Sequence, residues 1–242
     1  MIIRRMADAL RRQDWVTVLI EFVLVIAGVL IALQVNNWNE ARSNTHGAIS
    51  TLNRLHSEVE ANIAAIDTEL EELDQVAETR DASLQAIEAC DSSAEAADQV
   101  AQTVWAMTGD ILPAFVDQAA DGLSRRDDYL DLMSNDFRSA FYAYTGAFSD
   151  EQEQLQINYG LMWNRHVVDH PAILVEANPD RMAAPRIVIT GGLPAVCEDT
   201  QFVSRLSMTI VWHASTGFRL RLFRQRAEDF LAVIEQEREA LQ

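Results

Sequence analysis

Two histidines four residues apart, His166 and His170 in His166-Val167-Val168-Asp169-His170, form the pair whose type and spacing best suit a metal ion. Residues i and i+4 share a helix face, and two imidazoles there can hold zinc and activate a water for hydrolysis. The pattern is incomplete: zinc proteases of the H-x-x-E-H type have glutamate where Asp169 stands, no third ligand follows, and Pro171 stops the helix at once. A solvated helix end is therefore the plainer expectation for both residues. His46, His56 and His213 are scattered along the chain. No nucleophile elbow, phosphate loop, dinucleotide fingerprint or Cys-x-x-Cys motif occurs, and Gly191-Gly192 alone does not make a phosphate site. Carboxylates abound, but no acid and base pair can be chosen without distances. The expectation is no cofactor and no catalysis, with a metal-dependent hydrolase as the least favoured alternative.

Composition narrows the classes further. All 19 basic residues among the 242 are arginine, against 37 acids, for a net charge of -18. Phosphate neutralisation needs basic patches, so a nucleic-acid partner is excluded in expectation. Hydrophobic residues make up 49% of the chain, enough to bury a core and to exclude general disorder.

Val16 to Val35 is an apolar run about 20 residues long, which at 1.5 Å per residue covers the roughly 30 Å of a bilayer core. Trp15 and Trp38 flank it as interface belts, about 34 Å apart along a helix. Arg4, Arg5, Arg11 and Arg12 precede the run and only Arg42 follows closely, so the N-terminus is expected in the cytoplasm. A cleaved signal peptide is the rival, but Gln34-Val35-Asn36-Asn37-Trp38-Asn39 offers no small-residue cleavage site. This divides the chain into a basic tail at 1–14, a transmembrane signal anchor at 15–38 and an external domain at 39–242.

Residues 21–40 carry E-x-x-L-V-x-x-G-x-L-I-A-L-Q-x-N-N-W-N-E, which resembles the signature of a bacterial family of single-pass membrane proteins of unknown function. Leu130-Asp131-Leu132-Met133-Ser134-Asn135-Asp136-Phe137-Arg138 is similar to a second element of that family, with Met133 and Phe137 replacing its aliphatics. Asp121-Gly122 stands where the family often has a serine-glycine pair. The resemblance implies an inner-membrane protein with a helical domain, and it implies no activity.

A carboxylate inside a span is costly and marks a functional hypothesis. Glu21 lies about one turn inside the cytoplasmic end, where reaching the interface or partial protonation is the simpler account. Its spacing offers another: Glu21, Gly28 and Ala32 share one stripe, and Gly28-x-x-x-Ala32 is a small-x-x-x-small pattern that lets two spans approach closely. A second copy, a different basic partner helix, or a proton path would each use this face.

Beyond the span, Ile49, Leu52, Leu55, Val59, Ile63, Ile66, Leu70, Leu73, Val76, Leu84 and Ile87 recur at helical spacing, predicting one amphipathic helix from Arg42 to Glu88. Glu69 to Asp74 reads as its solvated face. Ser92 with Glu95 predicts the start of a second helix and Gly109 its end, Pro113 the first turn of a third, and Ser134 or Asn135 the cap of a fourth. Ser149 with Gln152 predicts the start of another, running to Asp169. Pro171 to Glu198 is irregular, with one short strand at Arg186–Thr190, and a long helix follows from Gln201, with a possible bend at Gly217. Its Trp212, Phe218, Phe223 and Phe230 read as core or partner-facing. The first and last long helices are expected to lie antiparallel. That places Cys90 and Cys197 together at the far end, where an oxidising compartment favours a disulfide over two buried thiols.

The predicted fold is all-α: one N-terminal transmembrane helix, then an elongated antiparallel helical bundle with one irregular loop region. The expected role is a non-enzymatic scaffold or accessory subunit in a bacterial inner membrane, with its domain in the periplasm. Its partners would be the bilayer and either itself, as a homo-oligomer, or another membrane protein. A periplasmic sensor signalling through its span is the alternative.

Overall fold

The computed structural model describes residues 15–109, 111–163, 167–177 and 185–242, and it is dominated by helices. Helix α1 spans Trp15–Glu88 without a break. The first proline is Pro113, and only Gly28 and Gly47 lie inside α1, so nothing in its sequence interrupts the hydrogen-bond ladder. The apolar segment and the amphipathic segment are one rod about 110 Å long.

Two shorter stretches hang on α1. Helix α2 covers Ala94–Ala106, and its cap is Ser93, one residue later than predicted, whose hydroxyl accepts the Ala96 N–H at 3.2 Å. Residues 111–117 are not helical, so Pro113 opens no helix; α3 begins at Gln118 and ends at Ser124, and the single turn α4 is Asp127–Leu130. Helix α5 runs through Asn135–Trp163, with Ser134 Oγ accepting the Phe137 N–H at 3.1 Å as its cap. Ser149 and Gln152 lie inside α5 and start nothing, because the core stripe Phe137, Phe141, Tyr144, Phe148 and Leu155 runs straight past them.

The stretch after α5 is more ordered than predicted. Val167–Asp169 is a 3-10 turn, and Ile173–Glu176 (β1) pairs antiparallel with Arg186–Ile189 (β2), Ile173 opposite Ile189 and Glu176 opposite Arg186. One strand of this hairpin was foreseen and its partner was not. Gly191 (φ 86°) and Gly192 (φ 70°) turn the chain from β2 into the Leu193–Ala195 turn, a conformation that suits glycine. Asp199 then caps α6, Thr200–Ala240, which continues through Gly217 as a single helix.

Helices α1 and α6 run antiparallel, as the chain positions of their contacts show. His56 meets Glu235, Asp67 meets Arg224, Asp74 meets Arg221, and Cys90 meets Cys197. Gly217 packs against α1, where a Cβ would lie 3.5 Å from Leu73 Cδ1. Two apolar clusters form along this pair. In the one nearer the apolar segment, Leu52, Leu55, Val59 and Ile66 of α1 meet Phe137, Phe141, Tyr144 and Phe148 of α5 and Leu220, Phe223, Phe230 and Ile234 of α6. The other gathers Ile87, Val100, Val104, Met107, Ile187, Ile189, Leu193, Val196, Phe202 and Leu206, so α2 and the hairpin close the end of the rod. The cores need aromatic volume because α1 supplies mostly aliphatics: Tyr144 stacks on Phe230 at 4.8 Å and on Phe223 at 5.8 Å.

Candidate functional site

The apolar part of α1 is bare. From Leu19 to Val35 its large apolar side chains are all exposed, and none of the apolar window is buried by the other described residues. Among the described residues this is the one helix long and apolar enough to cross a membrane. Being unburied, it does not pack as the core helix of a soluble domain. Trp38 is exposed where the apolar run ends, and Trp15 opens the helix. The placement of the Trp15 and Glu21 side chains lies outside the described residues, as does the tail at 1–14. Gly28 and Ala32 are exposed, and a Cβ on Gly28 would meet nothing within 4 Å. With a step of about 100° per residue, the Gly28 and Ala32 stripe lies roughly opposite the face that Ala48, Leu52, Leu55 and Val59 bury. The domain therefore hangs from one side of the rod and the small residues look out from the other.

At the far end Cys90 and Cys197 form a disulfide, with Cα atoms 5.6 Å apart. Cys90 is also the residue that stops α1. Its φ of 49° is left-handed, its N–H donates to the Ile87 carbonyl at 3.0 Å, and the Asp91 N–H donates to the Ala86 carbonyl at 3.1 Å, the double bond of a Schellman end. Glycine is usual there, and the half-cystine takes its place to reach across to the start of α6.

His166 lies outside the described residues, and His170 follows a 3-10 turn instead of sitting on a helix face. It is also no solvated end: His170 is 5% exposed, edge-on to Phe202, with Nε2 3.1 Å from Asp199 Oδ2 and Nδ1 accepting the Ala172 N–H at 3.2 Å. Asp199 receives the N–H groups of Gln201 and Phe202, and these bonds, with the imidazole, hold its carboxyl below the usual range. The His170–Asp199 contact ties the hairpin to the cap of α6. His213 donates its Nε2–H to the Met107 carbonyl at 3.0 Å, His56 bridges Glu60 and Glu235, and His46 is exposed. Among the described residues no three His, Cys, Asp or Glu side chains are grouped to hold a metal.

The family comparison bears on α1 and the start of α2. Residues 21–100 match DUF6090, a family of unknown function. The match covers a third of the chain; it includes the 21–40 signature and stops short of the Leu130–Arg138 element. No curated protein and no solved structure matches the chain.

What sequence reasoning missed are three carboxylates and an amide inside the structure. Glu58 of α1 is buried and accepts the Ala119 N–H at 2.6 Å and the Ala120 N–H at 3.0 Å, capping α3 from another helix, because Asp117 makes no cap bond of its own. Glu237 of α6 does the same for α5, taking the Ser134 N–H at 2.8 Å and the Ser134 hydroxyl at 2.6 Å. Glu151 of α5 is buried against Arg219 of α6 at 2.8 Å. Asn62 exchanges two bonds of 2.8 Å with the Val116 backbone and donates to Tyr144 Oη at 3.2 Å. One signal was available: Glu58 and Asn62 interrupt the apolar stripe of α1 at core-facing positions.

A cleft of about 230 Å³ opens over this group, between Asp117 and Asp121 on one wall and Thr145, Ser149 and Gln152 on the other. Its floor is chemically spent, since both Glu58 oxygens are held by backbone N–H groups. Burial pushes the Tyr144 hydroxyl up to about 12, against the opposing bond from Asn62. A raised value means folding is unaffected below the ordinary pKa of 10.0 and loses stability as pH climbs from there to about 12. We expect the last tyrosinate to appear together with alkaline unfolding, and Tyr144→Phe to separate the two. Absorbance and circular dichroism measured on one titration check this; a fourth tyrosinate forming while the fold persists contradicts it.

Proposed function

We propose that this chain is a non-enzymatic scaffold or accessory subunit, anchored in a bacterial inner membrane by Val16–Val35, with its N-terminus in the cytoplasm and residues 39–242 in the periplasm. The observation that carries the reading is the continuity of α1: one uninterrupted helix joins the bare apolar segment to both cores. Trp15 and Trp38 suit the two interfaces. The Gly28 and Ala32 stripe, with Glu21 in line, turns away from the domain and suits a second span, either of this chain or of another membrane protein. A sensor reading draws on the same rod, since a stiff helix transmits rotation, but it requires a separate output partner. A hydrolase reading, through the two histidines or a carboxylate pair, draws less support from His170, whose ring nitrogens meet Asp199 and the Ala172 N–H; less than a tenth of an equivalent of zinc on the purified protein would remove its metal-dependent form.

The test is alkaline carbonate extraction followed by crosslinking pull-down from mild detergent, with wild type, Gly28→Ile and Glu21→Ala. The chain is expected to stay with the membrane, and Gly28→Ile to cut recovery of a span-bound partner more than about tenfold. Release into the soluble fraction, or unchanged recovery with both variants, overturns the reading.

A further inference from the structure

Helix α6 carries an apolar stripe on the side away from the core. Met208 is 57% exposed, Val211 62%, Phe218 69% and Leu222 46%. With the exposed Ser204 and Ser215 they fall at alternating steps of four and three from 204 to 222, the spacing of a two-helix seam. No described residue covers them. We propose that this stripe is the contact between two copies of this chain, paired in parallel about an axis along the membrane normal. The inference rests on the membrane-anchored reading above.

Height excludes the anchoring bilayer as the occupant. The stripe is level with Leu73 of α1, which Gly217 touches, and Leu73 lies about 50 Å along the helix beyond Trp38. A second copy, held by the same rigid rod in the same membrane, brings an identical stripe to that height and in the same direction. Two such copies are related by a two-fold axis along the normal, which lays α6 against α6 in parallel.

Area agrees with an assisted pairing. The four side chains present roughly 400 Å² per copy, within the range of the largest patch on an ordinary monomer. Pairing removes about 800 Å², below the ~1,200 Å² that a free dimer needs. Confinement to one bilayer supplies what is missing by raising the effective concentration. Two flanking cations are already matched: Arg219 is paired with Glu151 and Arg221 with Asp74 inside each copy.

The seam also has a geometric consequence for the spans. The α6 residues that face α1, Gly217 and Arg224, lie about 140° around the helix from the stripe. Paired copies thus carry their α1 rods on the outside, which leaves each Gly28 and Ala32 stripe free for the helix of another protein.

The experiment uses the full chain in native membrane vesicles with single cysteines added at Met208, Leu222 or, as a control on the bare face of α1, Ser57. Under oxidation Met208→Cys and Leu222→Cys are each expected to give a disulfide-linked dimer, and Ser57→Cys none. Phe218→Glu added to Met208→Cys should lower the linked fraction more than about tenfold while the thermal midpoint stays put, since Phe218 supports no core. Gly28→Ile should leave the linkage intact. No linkage at 208 and 222, or linkage at Ser57→Cys alone, overturns the seam. Linkage only when Met208→Cys and Leu222→Cys chains are mixed reports antiparallel pairing and overturns the parallel seam. Loss of the chain from the vesicles would instead count against the anchored reading.

Discussion

Replacing Cys90 and Cys197 together with alanine should lower the stability of the domain formed by residues 39–242 by about 4–5 kcal/mol, the chain-entropy value for a closed loop of 107 residues. The loop holds α2 to α5 and the hairpin, so the bridge restricts nearly half the chain when unfolded. A second effect separates from the first. Cys90 sits at φ 49°, where a side chain costs about 1 kcal/mol that glycine does not. The Cys90→Gly, Cys197→Ala chain is therefore expected to be about 1 kcal/mol more stable than its Cys90→Ala counterpart, though both lack the bridge. Denaturant unfolding followed by circular dichroism, with and without reductant, measures both differences. An unfolding midpoint indifferent to reductant would show that the far end is held by its apolar cluster alone.

Asn62→Ala is expected to cost about 2–4 kcal/mol, more than a surface amide in a long helix should. The side chain is 1% exposed and holds both backbone groups of Val116, so its loss strands a donor and an acceptor where residues 111–117 have no ladder of their own. Asn62→Leu distinguishes this from a cavity effect. Leucine restores the volume but neither bond, so its penalty should stay within about 1 kcal/mol of alanine's. If leucine recovers wild-type stability, Val116 finds other partners and Asn62 is only a space filler.

These two sites also show how far the residues announced the fold. The long helices could be read because α1 and α6 repeat apolar residues at 3.6-residue spacing over many turns and meet no proline. The cysteine pairing followed from that, since antiparallel helices of such length place Cys90 beside Cys197. Glu58 and Glu237 were hidden by their company. In a chain with 37 acids a carboxylate looks solvated by default, and whether it caps a distant helix depends on a contact between residues far apart in sequence. The hairpin was half visible for a similar reason. Ile173–Glu176 buries only Ile173, so β1 has no alternation to betray it, and its identity comes from pairing with β2. His166 and His170 suggested chemistry from spacing that a helix would need to honour, and the chain leaves the α-helix before His170. Phe218 and Phe223 belong to one periodic pattern but point apart, one to solvent and one to the core.

The unbroken course of α1 makes the protein a fixed standoff. Glu88 lies about 75 Å along the helix beyond Trp38, and the described residues between them contain no joint that would let the distance vary. Whatever meets the β1–β2 hairpin must come to that height, and a chain with seven residues deleted from α1 between Trp38 and Gly47 would meet it about 10 Å lower while facing nearly the same way.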